Sequence, residues 1–292
     1  MDQDRKLLQG SIDIHVHGSP SLFPRLLDNA QCATQAKEAG MKGIVIKTHH
    51  GFTADRVYWI NKMVEGIDVF GGVTLNSAVG GLNPYAVEAA IAYGAKIIWM
   101  PTLSAKNHLN QLGEAGFTHL KQLQRRRLKE EGIWILDEKD NLLPQVKEIC
   151  ALISEGDIIL ATGHLSIKEI VPLVKEARDV GVKRILINHP EYIVNGSVSA
   201  QKGLAQMGAY IEHTLISMMP MWFRKDPKEI VRMVKEVGPE HTILSTDFGQ
   251  VHHPPPHEGM RMFIRMMLEL GISPQEIELM VKSNPGRLLG IP

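Results

Sequence analysis

Ile12-Asp13-Ile14-His15-Val16-His17 is a short apolar run that closes on two imidazoles two positions apart. Residues i and i+2 of a strand share a face, so alternation predicts that Asp13, His15 and His17 point the same way. The pair then forms a two-nitrogen grip for a metal at the end of a strand. Outward from it, short apolar runs recur at 43–47, 69–75, 96–100, 158–162, 184–188, 209–213 and 242–246. Stretches with helical periodicity at 29–39, 54–64, 84–92, 144–154, 167–180 and 227–237 separate most of them. Glycines at 40, 66, 94, 181 and 238 follow as helix stops.

Strand and helix alternating eight times in 292 residues predict an α/β fold, a closed (β/α)8 TIM barrel, with 1–292 as one domain. The alternative, a doubly wound open sheet, lacks the Gly-x-Gly-x-x-Gly that would follow its first strand. One connection is too long for a plain barrel, because about 40 residues separate the fourth strand from its helix. That segment, 103–142, reads as an insertion over the barrel mouth, with a basic helix-like stretch at 118–131 and a small hairpin over 133–143 turning at 139–141. The other reading is a solvated helix packed on the outside or on another subunit.

A hydrophobic fraction of 44% is enough for one large core, and 32 basic residues balance 32 acidic ones. No basic run interleaves with aromatics, so nucleic acid is not an expected partner. No stretch of about 18 uncharged apolar residues suggests a membrane span, and the opening Met-Asp-Gln-Asp-Arg-Lys is unlike a signal peptide. The expected protein is soluble and cytoplasmic. Cys32 and Cys150 sit in helix-like segments, which suits two buried thiols better than a disulfide.

Barrel enzymes place their chemistry on the loops after the strands. Histidines 15, 17, 49, 50, 108, 119, 164, 189, 213, 252, 253 and 257 fall on that face or in the insertion, and only His241 precedes a strand. His164 ends the fifth strand, His189 the sixth, and Asp247 stands at the matching place on the eighth. Each has an ordinary structural reading, as a helix cap, a turn histidine before Pro190 or an Asx turn. All three at corresponding strand ends argue for a shared site.

As an ordered set, His15-x-His17, His164, His189 and Asp247, followed by the closing Asn284-Pro-Gly-Arg-Leu-Leu-Gly290, resemble the amidohydrolase superfamily of metal-dependent hydrolases over nearly the whole chain. The resemblance implies a TIM barrel with a divalent metal held by His15, His17, His164, His189 and Asp247. Asp247 and His189 are then the catalytic groups. Strand four departs from the family pattern, offering Met100 and Thr102 at the mouth where many members carry a lysine or glutamate, with Lys96 near the strand start. One metal is therefore expected before two. Lys47, with His49 beside it, stands as a bridging or substrate-binding group, or Lys47 is a lysine that reaches solvent or pairs with a carboxylate.

Neutral imidazoles and a carboxylate suit Zn²⁺, with Mn²⁺ or Fe²⁺ as alternatives. The implied reaction is hydrolysis of an amide, lactone or related C–N or C–O bond of a small molecule through metal-activated water. A decarboxylase or lyase on the same centre, or a non-catalytic metal-binding barrel, are the competing readings. Asp13 reads either as a group that orients an imidazole or as a satisfied core carboxylate, and Glu191, Glu212 and His213 also lie near the mouth. Arg25, Lys106, Arg224 and Lys225 are candidates for holding an anionic group. The apolar loop 217–223 either walls the pocket or buries itself in a homo-oligomer interface. His252 to His257 reads as a stiff flap or a plain proline-rich loop.

Overall fold

The computed structural model describes residues 3–113, 129–221 and 224–291. Among these the strands run β1 Ile12–Val16, β2 Gly43–Ile46, β3 Asp68–Phe70, β4 Gly72–Thr74, β5 Ile97–Trp99, β6 Ile159–Ala161, β7 Arg184–Asn188, β8 Tyr210–Thr214 and β9 Thr242–Ser245. Every pairing between them is parallel and sequential, β1 to β3 in one ladder and β4 to β9 in the next. The chain beyond β9 returns to β1: the Asp247 N–H donates to the His15 carbonyl at 2.9 Å, and the His17 N–H to the Phe248 carbonyl at 2.8 Å. The staves thus form a TIM barrel, and its seam is made by the residues expected at the metal site.

The run 69–75, expected as one strand, is two, broken at Gly71. The cause is Thr53, whose hydroxyl accepts from the Gly72 N–H at 2.9 Å and lies 2.8 Å from the Ile46 carbonyl, to which it donates. A side chain at Gly71 would meet the Thr53 carbonyl. A second departure lies in β1. Its register against β2 shifts between Asp13 and Val16, so simple alternation fails there.

One apolar cluster joins Ile12 and Ile14 of β1 to Val45 of β2, Ile97 and Trp99 of β5, Leu186 of β7 and Ile243 of β9, strands spread around the whole sheet. Only the barrel interior can bring them together. Leu288 and Leu289, from the closing helix Asn284–Leu289, share that cluster and plug the barrel's lower end. Two further clusters fill the space between the barrel and its surrounding helices. Burying this much apolar surface, at roughly 25 cal/mol per Å², is the main driving force for the fold.

After β5 the chain enters the helix Lys106–Leu112. Of the expected basic helix at 118–131, residues 118–128 lie outside the described residues, and 129–131 have no regular structure. The expected hairpin is present in small form. Leu136 and Leu142 form an antiparallel bridge, and the Asp137 carboxylate accepts from the N–H groups of Lys139 and Asn141, both at 2.8 Å. Cys32 and Cys150 are both buried free thiols. No helix among the described residues is long and apolar enough to cross a membrane.

Candidate metal centre

His15, His17 and Asp247 are buried, and one ligand atom from each lies within 4.8 Å of the others. Asp247 Oδ1 is 3.2 Å from His15 Nε2 and 3.0 Å from His17 Nε2. Its Oδ2 is 3.7 Å from His189 Nε2. His189 and Asp247 both have positive φ, 48° and 56°. That conformation is uncommon outside glycine, and here it turns both side chains off their strand ends into the barrel mouth. Gly249 assists the turn, since a Cβ there would collide with the His17 carbonyl.

The far nitrogen of each imidazole is committed. His17 Nδ1 lies 3.0 Å from the Lys47 carbonyl, an atom that can only accept. The hydrogen therefore sits on Nδ1, and Nε2 presents a lone pair to Asp247. His15 Nδ1 is held at 3.0 Å by Glu212 Oε1, which also accepts from Ser245 Oγ at 2.6 Å. His189 Nδ1 is 3.3 Å from Thr214 Oγ1. Burial pushes His15 and His189 down to about 3 and holds His17 well below the usual histidine range, so the rings are neutral at neutral pH.

His17 Nε2 thus presents a lone pair to an Asp247 oxygen at 3.0 Å, and with Asp247 as the carboxylate two lone-pair donors face each other. A cation between them would remove the conflict. Donors about 2.1 Å from a common tetrahedral ion stand roughly 3.4 Å apart, close to the spacing seen. By donor chemistry and by separation, the residues fit a divalent metal.

His164 is buried in the same mouth but outside this tight group. Its ring is 5.1 Å from that of His189, and its Nδ1 meets His108 Nδ1 at 2.8 Å. Gly163, with φ 60°, permits the turn into His164, because a Cβ would strike the Met100 and Pro101 carbonyls. His49 stacks on His17 at 5.0 Å and pairs with Thr102 Oγ1 at 2.9 Å.

Lys47 is 1% exposed, so it does not reach solvent. Its Nζ lies 3.0 Å from His15 Nε2 and 5.6 Å from the Trp99 ring centre. Burial pushes it down to about 8, partly offset by Asp247 and Glu212.

Asp13 does not orient an imidazole. Its carboxylate accepts from the Thr246 hydroxyl at 2.5 Å and from the N–H groups of Thr246 and His15. The shift in β1 carries it away from the histidine rings, and Glu212 from β8 takes the orienting place. Glu191 pairs with His213 at 3.0 Å, away from the ligand atoms.

These groups open on a cavity of about 430 Å³ whose walls include Phe23, Leu103, Tyr192, Ile193, Met221 and Val251. Of the four basic residues singled out in the sequence, Arg25 lines it. Lys106 instead donates to the Glu131 carbonyl, Lys225 pairs with Glu229, and the Arg224 backbone is tied to Ser217. Of the loop 217–223, Ser217 and Met218 are buried, Met221 is at the cavity, and 222–223 lie outside the described residues. His252 is at the cavity wall, while His253 stacks on Phe248. His108 is a wall residue as well. Its sequence signal was only a place in a long connection.

Residues 10–212 match the family described as "Family of unknown function (DUF6282)". The chain belongs to that family. Among solved structures, this DUF6282 member is similar to an amidohydrolase from Pseudomonas aeruginosa, with TM-score 0.62, 14% identity and 98% of each chain covered. It is similar to a lactonase from Listeria monocytogenes, with TM-score 0.63 and 14% identity over 97% of this chain and 95% of that one. A 2,6-dihydroxybenzoate decarboxylase from Rhizobium aligns with TM-score 0.59 and 11% identity over 97% and 99%. At such identities the likeness is one of fold. No curated protein matches the sequence.

Proposed function

We propose that the chain is a metal-dependent hydrolase that cleaves an amide, lactone or related C–N or C–O bond of a small molecule. The observation that carries this is the opposed pair of lone-pair donors, His17 Nε2 and Asp247 Oδ1, in the cavity at the barrel mouth. His15, His17 and Asp247 would hold the ion, with His189 and His164 at hand in the same mouth. Zn²⁺ suits this donor set best, and Mn²⁺ or Fe²⁺ take the same ligands. Bound there, the ion supplies Lewis acidity that polarises a carbonyl and makes water nucleophilic at neutral pH.

Asp247 stands where it can accept a proton from the attacking water and return it to the leaving group, a role worth roughly 10²- to 10⁴-fold. His189, aimed by Thr214, either completes the ligand set or polarises the substrate carbonyl. Lys47 is a substrate-binding cation beside His15 in this reading, and His49 extends the polar wall. The fold likeness to amidohydrolase and lactonase structures agrees with the proposal.

A second reading, decarboxylation, draws support from the two cations, Arg25 and Lys47, that line the same cavity and would receive a carboxylate. Metal analysis of the purified protein, with turnover before and after chelation, tests the proposal. Near one equivalent of transition metal and loss of turnover that zinc restores are expected; full turnover by a metal-free preparation would end it. In ¹⁸O-labelled water, label in the organic product marks hydrolysis, whereas carbon dioxide release beside an organic product that carries no label marks decarboxylation.

A further inference from the structure

Two cations, Arg25 and Lys47, line this cavity, and neither has an acid within ion-pair distance among the described residues; Lys47 is held by His15 Nε2 at 3.0 Å, which leaves Arg25 as the less committed group. Among the described residues Arg184 pairs with Asp157, Arg261 with Asp4 and Glu258, Arg265 with Glu269 and Arg232 with Glu236, whereas Arg5, Arg224 and Arg287, which do not line this cavity, form no ion pair. Arg178 donates to backbone carbonyls. Arg25 forms no ion pair among the described residues. A guanidinium carries five N–H donors, and of these only Nε is engaged, weakly, with Ser21 Oγ at 3.3 Å. The group lies 5.6 Å from the centre of the Phe23 ring, and it lines the cavity that also includes Asp247.

Its placement is built by the backbone. Arg25 forms an antiparallel bridge with Gln250, and the Leu26 N–H donates to the Gly249 carbonyl at 2.9 Å. The loop after β1 is thereby fastened to the loop after β9, which sets the Arg25 backbone beside the cavity. Charge points the same way. Asp247 is the acid whose charge acts on Arg25, and a cation held by His15, His17 and Asp247 would take that charge for itself. Glu212 is committed to His15, Ser245 and Asn188. Lys47 adds a second positive group. The Tyr192 hydroxyl, also at the cavity wall, has no hydrogen-bond partner among the described residues, while Leu103, Ile193 and Met221 are apolar.

We infer that the cavity takes a small carboxylate with an apolar or aromatic body, its carboxylate forked on Arg25 and its body against Phe23, Ile193 and Met221. A planar guanidinium matches a carboxylate with two parallel hydrogen bonds, and in a mostly apolar site such a pair is selective against a neutral analogue. The inference rests on the reading above that this cavity is where substrate binds, and it narrows the substrate class of that site.

The test is a ligand-observed NMR titration of benzoate and of benzyl alcohol, its neutral analogue, against zinc-loaded and chelated protein. Wild type is expected to hold benzoate at least tenfold more tightly than benzyl alcohol in both states. Arg25→Gln is expected to bring benzoate to the level of benzyl alcohol, and Arg25→Lys to recover part of the difference. Circular dichroism and melting of each variant report whether it is folded. Discrimination that survives in folded Arg25→Gln, that vanishes on chelation of wild type, or that is absent from the start would overturn the inference. The two readings fail separately. Protein that needs zinc for turnover yet ignores Arg25 keeps the hydrolase and loses the carboxylate site, whereas Arg25-dependent benzoate binding by protein that never holds metal does the reverse.

Discussion

The residue that most controls the centre without touching its open side is Glu212. It is fully buried, and it fixes the tautomer of His15 by accepting at Nδ1 while Ser245 and Asn188 hold its own oxygens. Groups that orient a ligand in this way typically contribute 10- to 100-fold in metal affinity. Glu212→Gln should therefore weaken zinc binding by that order in a competition with a chromophoric chelator, and unchanged affinity would remove Glu212 from this role. The cysteines provide a second check at this scale. Burial pushes both Cys32 and Cys150 up to about 12, so neither is a thiolate at neutral pH. Native protein should leave both thiols unmodified by a thiol-reactive dye, and denatured protein should titrate two.

Among the elements, the turn from β6 into the helix Ile167–Asp179 depends on Gly163. Alanine there would be strained by its positive φ and would strike two carbonyls of the neighbouring connection. Gly163→Ala should cost about 1–3 kcal/mol, a fall in Tm of roughly 3–10 °C, with zinc affinity reduced if His164 is displaced. The helix Asn29–Glu38 starts on a capping box in which Asp28 accepts from the Gln31 N–H at 2.7 Å and Gln31 answers from its side chain. Asp28→Ala should cost about 1 kcal/mol and Asp28→Asn almost nothing, as read by denaturant unfolding. An equal loss in both would mean that the charge, and not the cap, matters.

At the scale of the whole molecule, the barrel seam and the candidate metal site are one structure, because Asp247 and His15 are joined both through backbone and through side chain. Metal should therefore raise global stability. With free zinc at 100 times its Kd the gain is about 2.7 kcal/mol, and Asp247→Asn should reduce the shift in Tm. The chelated protein should be acid-sensitive. Folding holds His15 and His189 at about 3 and His108 at about 4, below the ordinary histidine value. Between that value and the folded ones the unfolded chain binds more protons, so stability falls as pH drops through about 6.5 toward 4. Asp13, pushed up to about 7 by burial, acts in the opposite sense but is one group against several. A melting temperature that stays level from pH 7 to 5 without metal would contradict this account.

The order of strands and helices was legible in the sequence because each element carries its own period and its own stop: apolar runs closed by glycine need no information from elsewhere in the chain. The ends of the strands, and with them His15, His17, His189 and Asp247, could be read for the same reason. What the sequence could not supply depends on groups far apart along it. Thr53 breaks the third stave, the register shift in β1 turns Asp13 to Thr246, Glu212 replaces it behind His15, and His108 meets His164 from a long connection. Nothing local distinguishes Arg25 from Lys106 or Arg224; only closure of the barrel, which ties 25 to 250, puts one of them in the cavity. Periodicity is a property of neighbours in the chain, whereas coordination and charge pairing are properties of neighbours in space.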